Sequence, residues 1–226
     1  MKIRKYFNDD FVTIIDFPGE KQQLPAYNDA VMRFGNRFKY MAFIDCDEFI
    51  MPKTKGTNIE YYFDSIIKSN AEIGGICLNW CMFGSSGLLH RTKDLLLEKF
   101  LHRGDFTRAK GNACIKSIVM PSKVKTFKHA HYPCFKPGYY GANLKGDIVC
   151  GWRSEPLNQP AICINHYFTK SLDEWIERRK LGKADVGCQD KRSIDEFYQH
   201  DDNSIYDPST LMYINEIKTI IEEPIS

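Results

Sequence analysis

Short apolar runs alternate with helical periodicities along the first third of the chain. A β-rich run at 11–15 precedes a helical pattern over 20–34, and an apolar strand is predicted at 40–44. Residues 57–60 form a capping-box pattern, which predicts a helix to about residue 69. The next strand is predicted at 73–80. This alternation predicts an early β-α-β arrangement.

Glycine and proline dominate the middle of the chain, about 84–160, and predict long irregular connections with short strands at 95–97, 115–120 and 124–127. A strand at 161–167 precedes a capping box at 171–174, which predicts a helix to about residue 181. Further helices are predicted after Ser193 and after Pro208, the last one reaching Glu222. Together these elements predict an α/β fold, in which a mixed sheet is flanked by helices.

Composition narrows the class of protein but does not identify it. The chain has 226 residues, of which 43% are hydrophobic and 27% charged, which is typical of a soluble globular domain. The 31 basic residues nearly balance the 29 acidic ones, which argues against a nucleic-acid-binding protein. Eight cysteines without a C-x-x-C pattern predict free thiols. No window approaches roughly 18 consecutive apolar residues, so we expect a cytoplasmic protein.

Three carboxylates follow the apolar run at 40–44 within four positions: Asp45, Asp47 and Glu48. Burying three like charges beside a core strand is unfavourable by several kcal/mol unless something neutralises them. Strand alternation predicts that Asp45 and Asp47 point to the same side, where they would share one divalent cation. The end of a strand is also where α/β sheets bind ligands. The alternative is an acidic turn without a ligand.

Two further clusters carry polar groups at predicted strand ends. Trp80 leads into the turn Gly84-Ser85-Ser86-Gly87, whose amides and hydroxyls suit phosphate or sugar hydroxyls, the alternative being a core tryptophan and a flexible turn. His166 at a strand end would complete a metal site with two aspartates, and Lys170 would meet phosphate. The alternatives are a structural histidine and a surface lysine.

A weaker pattern follows the predicted strand at 115–120, which contains Lys116. His129 and His131 are spaced to lie on one face of a strand and to ligate a metal. No carboxylate or cysteine lies at ligand spacing nearby, so a structural role or a role on the acceptor side is favoured.

Four stretches together resemble the family 92 glycosyltransferases and the similar bacterial family-2-like enzymes, which have a GT-A fold. They are residues 43–50, 78–87, 116–119 and 164–171, the last followed by Glu174 and by residues 179–185. The resemblance extends from about residue 6 to residue 205. It implies transfer of a sugar from a nucleotide-sugar donor, with UDP expected, to a glycan or lipid-linked glycan acceptor.

The resemblance also implies roles for particular residues. Asp45 and Asp47 would hold Mn²⁺ or Mg²⁺ against the donor diphosphate, with His166 as a third ligand. The residues expected to bind donor or acceptor are Trp80, Gly84, Ser85, Ser86, Lys116, Lys170 and Arg179. We expect an inverting displacement, in which a carboxylate deprotonates the acceptor hydroxyl. The candidate bases are Asp105, Asp173, Glu174 and Asp185.

Domain organisation and setting follow from the same resemblance. We expect one domain, with a donor and metal half at 1–83, an acceptor half at 84–170 and C-terminal helices at 171–226. Compared with such enzymes, the chain is expected to lack an N-terminal strand–helix–strand segment that holds the nucleoside. The implied setting is bacterial surface-polysaccharide or lipooligosaccharide synthesis, with peripheral association at the inner face of the membrane. The rival hypothesis is a catalytically inactive relative that binds carbohydrate or nucleotide.

Overall fold

A mixed sheet forms the centre of the protein. The computed structural model describes residues 12–158, 160–180 and 193–222. Its seven-stranded sheet contains β1 (Met41–Ala42), β2 (Glu48–Pro52), β3 (Ile73–Met82), β5 (Ile115–Val119), β8 (Tyr140–Ala142), β9 (Ile148–Val149) and β10 (Ile162–His166). Two small antiparallel pairs lie outside it: β4 (His102–Arg103) with β11 (Ile205–Tyr206), and β6 (Val124–Thr126) with β7 (Cys134–Phe135). The predicted α/β class is confirmed.

Strand order decides where the acidic segment lies. The main path of the sheet runs β1-β5-β3-β10-β2, with β8 beside the first half of β3 and β9 paired to β8. β3 and β10 are parallel, whereas the β1–β5, β5–β3 and β10–β2 pairs are antiparallel. β1 and β2 therefore lie at opposite edges of this path, although only residues 43–47 separate them. This connection crosses the carboxyl ends of β3 and β10, where α/β folds commonly bind ligands.

Helices cover the sheet and its irregular connections. They are α1 (Gln23–Phe34), α2 (Ile59–Ser69), α3 (Leu96–Lys99), α4 (Leu172–Arg179), α5 (Ile194–His200) and α6 (Ile214–Glu222). The predicted helices at 20–34, 57–69 and 171–181 and those after Ser193 and Pro208 are confirmed within the described ranges. The N-cap of α2 is Asn58, whose side chain accepts the Tyr61 amide at 2.9 Å, and not Thr57.

Two strand predictions are wrong. Residues 12–18 form no regular element, and residue 11 lies outside the described residues. Residues 95–97 are not a strand, because α3 begins at Leu96. Packing explains this helix: Leu97 and Phe100 are buried in one apolar cluster, and the Phe100 amide closes the turn onto the Leu96 carbonyl at 3.2 Å.

Alternation along the strands separates two apolar layers. On one face, Ile76 and Leu78 of β3, Ile118 of β5 and Ile164 of β10 pack against Phe63 of α2. On the other face, Cys81 of β3 and Phe83, which directly follows β3, join Cys163, Phe100 and Tyr167. The cysteines of the described residues are free thiols. The face toward α2 also carries the candidate site.

Candidate active site

Four strands carry polar or aromatic side chains near one end of the sheet, on the face that packs against α2. These side chains are Glu48, Trp80, Lys116 and His166, from β2, β3, β5 and β10 respectively. Each lies two residues beyond an apolar residue of the α2-facing core on its own strand, so alternation keeps it on that face. The apolar layer therefore gives way to a buried polar layer at the end of the sheet.

The acidic turn, residues 45–48, lies over this layer. The Glu48 amide donates to the Asp45 carbonyl at 3.0 Å, and the Asp45 amide donates to Glu48 Oε2 at 2.9 Å. These two bonds close a tight turn, so the predicted strand alternation at Asp45 and Asp47 is wrong. The two aspartates contact different cations. Asp45 contacts Lys116, whereas Asp47 contacts Lys170 and Arg178.

Lys116 bridges the first and last residues of the acidic turn. Its Nζ lies 3.2 Å from Asp45 Oδ2 and 3.4 Å from Glu48 Oε2, and its side chain is 1% exposed. Burial acts to lower the pKa of Lys116, but Glu48 and Asp45 outweigh it and raise that pKa. Burial raises the pKa of Glu48 to about 7 despite the nearby lysine. Glu48 Oε1 has no hydrogen-bond partner.

Asp47 is surrounded by positive groups at the second half of the turn. Its Oδ2 lies 3.1 Å from Lys170 Nζ and 3.1 Å from Arg178 Nη1, and its Oδ1 lies 3.8 Å from His166 Nε2. Burial acts to raise the pKa of Asp47, but the nearby His166 ring and the cations Lys170 and Arg178 lower it overall. Lys170 adopts a left-handed backbone conformation, with φ 56°, which is uncommon for a residue other than glycine.

A cleft of about 880 Å³ opens above these groups. Asp45, Asp47, Trp80, Lys116, His166 and Lys170, all predicted as site residues, lie in its wall. The other lining residues are Lys21, Gln23, Leu24, Cys46, Cys114, Lys128, His129, Ala130, His131, Trp152, Phe168, Arg178 and Glu196. Lysine and arginine outnumber the carboxylates of this lining, so the cleft suits an anionic ligand.

The predicted binding turn at 84–87, here called the serine turn, is used differently. Asp201 accepts the amide and the hydroxyl of Ser85, and Asn203 accepts the Ser86 amide at 2.7 Å. Ser86 Oγ accepts the amides of Leu101 and His102 at 2.9 and 3.0 Å. A Cβ at Gly84 would clash with the side chain of Asn203. Gly84, Ser85 and Ser86 make these contacts within the protein and do not line the cleft, so their role in binding stays a prediction.

The predicted catalytic carboxylates of α4 also make internal contacts. Asp173 accepts the Ser171 hydroxyl at 2.6 Å and the Arg91 amide at 2.9 Å. Glu174 completes the predicted capping box with Ser171 and lies 3.5 Å from Lys99. Neither residue lines the cleft, so this placement gives no support to a role as base, which stays a prediction.

Two other predicted residues, Asp105 and Arg179, also lie apart from the cleft lining. Asp105 accepts the amide and hydroxyl of Thr107 within a loop. Asp185 lies outside the described residues. Arg179 is half-buried and does not line the cleft, whereas its neighbour Arg178 contacts Asp47. The sequence shows two adjacent arginines, but only the rotation of α4 decides which one faces the acidic turn.

Glu196 and Trp152 line the cleft and were not predicted from the sequence. Glu196 follows the N-cap of α5, and Trp152 lies in the irregular region before β10. His131 packs against Trp80 with ring centroids 4.9 Å apart, and burial lowers its pKa to about 4. No local pattern links Glu196 or Trp152 to the acidic turn, because both reach the cleft only through tertiary packing.

The carboxylates of the acidic turn suit a metal ion that substrate phosphates also hold. Among the described residues, no group of three or more His, Cys, Asp or Glu side chains is placed to hold a metal ion, so Asp45, Asp47 and His166 do not form an assembled ligand set. Burial lowers the pKa of His166 to about 3 and keeps its ring neutral. Two carboxylates facing an anion cleft do match the way in which Mg²⁺ is held by one or two carboxylates together with substrate phosphates.

Comparison with protein families identifies the class. The model of glycosyltransferase family 92 matches residues 2–196. The chain therefore belongs to glycosyltransferase family 92, and it is a glycosyltransferase that uses a sugar donor and a glycan acceptor. No curated protein matches the chain. In the part of the chain that the structure describes, no helix is long and apolar enough to cross a membrane.

Proposed function

We propose that the protein transfers a sugar from a UDP-sugar to a hydroxyl of an acceptor glycan, and that the cleft above the acidic turn is the donor site. One observation carries this proposal. The acidic turn brings Asp45 and Asp47 into the same cleft as Lys116, Lys170 and Arg178. A nucleoside diphosphate needs such a combination, because its charges are met by cations and by carboxylates that hold a metal.

Asp45 and Asp47 are the residues proposed to hold Mn²⁺ or Mg²⁺. When bound, this ion would neutralise the charge of the donor diphosphate as a Lewis acid. Lys170 and Arg178 each lie 3.1 Å from Asp47, within reach of anionic oxygens that approach the same carboxylate. They would stabilise the leaving UDP, because preorganised cations in a closed site cost no reorganisation during the reaction.

Direct displacement with inversion requires a base for the acceptor hydroxyl. Asp45 and Asp47 are committed to the donor side, and among the described residues that line the cleft the remaining carboxylate is Glu196. Its helix is fixed on the protein: the Trp175 indole donates to the Ser193 carbonyl at 3.1 Å, and the ring centroids of Trp175 and Phe197 are 5.7 Å apart. We therefore assign the role of base to Glu196.

The donor proposal is tested by calorimetric titration of UDP with Mn²⁺ and with EDTA. We expect Mn²⁺-dependent binding that is lost in Asp47→Asn. The control is Asp64→Asn. Asp64 lies on α2 outside the cleft, where it forms an ion pair with Lys39. UDP binding that is equally strong without Mn²⁺, or unchanged in Asp47→Asn, would contradict the proposal. Binding without any sugar transfer would favour the inactive carbohydrate- or nucleotide-binding relative.

The base is tested by Glu196→Gln, with Asp195→Asn on the same helical turn as the control. Loss of a general base lowers the rate by about 10²–10⁴-fold, so we expect a fall in kcat of that size at unchanged UDP affinity. The measurement is UDP release from a set of UDP-sugars. An unchanged kcat in Glu196→Gln would remove this residue from the mechanism.

The pathway is part of the same proposal. Membership of a glycosyltransferase family supports a role in glycan assembly. Surface-polysaccharide or lipooligosaccharide synthesis at the inner face of the membrane is the setting that we propose. Radiolabelled sugar transfer into lipid-linked glycans of membrane extracts would test it, and incorporation only into water-soluble products would contradict it.

A further inference from the structure

A second concavity of about 350 Å³ opens beside the cleft. Lys128, His129 and Trp152 line both spaces, so one ligand can extend from the cleft into this groove. The remaining wall of the groove is formed mainly by aromatic rings, those of Tyr132, Phe135 and Tyr139. The groove is therefore an aromatic extension of the proposed donor cleft.

The groove presents exposed aromatic surface. Trp152 is 42% exposed and Tyr139 is 39% exposed, although both are large side chains that proteins usually bury further. His129 stacks on Trp152 with ring centroids 5.7 Å apart and an interplanar angle of 18°. Rings that combine an apolar face with a polar edge suit ligands that are themselves apolar on one side and hydroxylated at the rim.

Charge in the groove argues against a second donor or metal site. No acidic side chain lines it among the described residues, and Lys128 supplies its basic group at the junction with the cleft. The carboxylates proposed for the metal stay in the cleft, on the acidic turn. The groove thus lacks the ligands that a diphosphate with its metal requires, whereas a neutral or anionic sugar meets no repulsion there.

The groove is also preformed. The Tyr132 hydroxyl donates to the Val149 carbonyl at 2.7 Å and accepts the Gly141 amide at 3.0 Å. Tyr132 packs edge-on against Phe135 with ring centroids 5.5 Å apart. Gly151, with φ 85°, turns the chain immediately before Trp152. Since these contacts fix the walls, a ligand would bind without ordering them first.

We propose that this groove is the acceptor subsite, and that a pyranose ring of the acceptor glycan lies against Trp152 and Tyr139. The inference rests on the proposed glycosyl transfer. Glycosyl transfer requires that the acceptor reaches the donor. An acceptor in the groove can do so, because the groove joins the donor cleft at Lys128 and His129. The next sugar of the acceptor would then present its hydroxyl in the cleft.

Saturation-transfer difference NMR tests the groove with three probes: methyl β-galactopyranoside, methyl β-glucopyranoside and methyl α-mannopyranoside. We expect saturation transfer to at least one glycoside, reduced at least threefold in Trp152→Ala and in Tyr139→Ala. The matched control is Tyr61→Ala, because Tyr61 is 73% exposed on α2 and lies outside both concavities. Two separate variants guard against a folding defect in either one.

Two results would overturn the inference. One is a lack of glycoside binding at the groove, seen as no saturation transfer from the wild-type protein to any of the three glycosides or as equal transfer in every variant. The other is loss of UDP affinity in Trp152→Ala with glycoside binding intact, which would make the groove a nucleoside site. Failure of the donor proposal is distinguishable, because UDP titration would then be negative while glycoside binding persists.

Discussion

The acidic turn and the serine turn look alike in the sequence and differ in the folded protein. Each is a polar segment beside an apolar strand, and each suggests a ligand site. The acidic turn lines the cleft with Asp45 and Asp47, whereas the serine turn bonds to Asp201, Asn203 and the backbone before β4. A polar turn near a strand end is therefore not enough to identify a binding site.

The difference lies in how well each region satisfies its own polar groups. Around the serine turn, the Ser85 and Ser86 groups have partners inside the protein. Around the acidic turn, Glu48 Oε1, Trp80 Nε1 and His166 Nδ1 are buried without a hydrogen-bond partner. Buried polar groups normally have partners, so these atoms are available to a ligand or to ordered water.

The largest expected effect is on catalysis. Asp47→Asn removes the carboxylate that faces Lys170 and Arg178, and with it the proposed metal ligand. Loss of a preorganised charged group of this kind lowers kcat by about 10²–10³-fold. UDP release from the preferred UDP-sugar measures the effect, with Ser85→Ala as the paired variant. Full turnover in Asp47→Asn would contradict the proposal that the acidic turn, unlike the serine turn, serves the donor site.

The second effect is on stability, and its sign is unusual. The pKa of Glu48 is raised from 4.5 to about 7 by burial, so the folded state holds a proton that the unfolded state releases between these pH values. The free energy of unfolding therefore falls as pH rises through this window, by about 3 kcal/mol for this one group. Glu48→Gln has no carboxyl group at this position, so its free energy of unfolding lacks this fall.

Urea denaturation of the metal-free protein at pH 4.5 and pH 8 measures this difference. We expect the free energy of unfolding of Glu48→Gln, relative to that of the wild type, to be about 3 kcal/mol higher at pH 8 than at pH 4.5. Glu60→Gln on the surface of α2 is the control and should follow the wild type. A constant difference between Glu48→Gln and the wild type would show that the acidic turn carries no such penalty.

The third effect is on the serine turn. Asp201→Ala removes the acceptor of the Ser85 amide and hydroxyl, and it leaves both donors without their partner. Unsatisfied buried groups are unfavourable by about 1–3 kcal/mol each, so we expect a loss of about 2 kcal/mol in the free energy of unfolding. UDP affinity of the folded fraction should stay within about threefold of the wild type. A selective loss of UDP affinity with unchanged stability would contradict the structural role.

The smallest effect is on thiol reactivity. Cys46 is exposed in the acidic turn and lines the cleft, whereas Cys150 is exposed outside it. Bound UDP with Mn²⁺ should cover Cys46 and slow its alkylation several-fold, as read by peptide mass spectrometry. Cys150 in the same sample is the internal control. Equal rates at Cys46 with and without the ligands would place UDP elsewhere.

Local sequence patterns predicted most of the sheet and helices, because alternation and capping are encoded within a few residues. β3, β5 and β10 and the capping box of α4 are examples. The position of β1 and β2 at opposite edges of the sheet path was not predictable, since it depends on pairing with β5 and β10. α3 was missed for a similar reason, because tertiary packing of Leu97 outweighs its strand-like run.

The candidate site was predictable only where charged or polar residues interrupt an apolar run or end it. Three carboxylates beside a strand pointed to Asp45 and Asp47, and a strand-end histidine pointed to His166. Arg178 and Glu196 were missed because a sequence shows neither the rotation of a helix nor which distant helix closes a cleft. Metal binding and the role of each carboxylate stay predictions until the donor titration is made.

Hydrogen–deuterium exchange of both turns in one sample tests the central claim most directly. Peptides that cover residues 43–48 and 84–87 would be compared with and without UDP and Mn²⁺. We predict slower exchange in the acidic turn on binding and unchanged exchange in the serine turn. Protection of the serine turn alone, or of neither turn, would contradict the account that the acidic turn is the donor site of this glycosyltransferase.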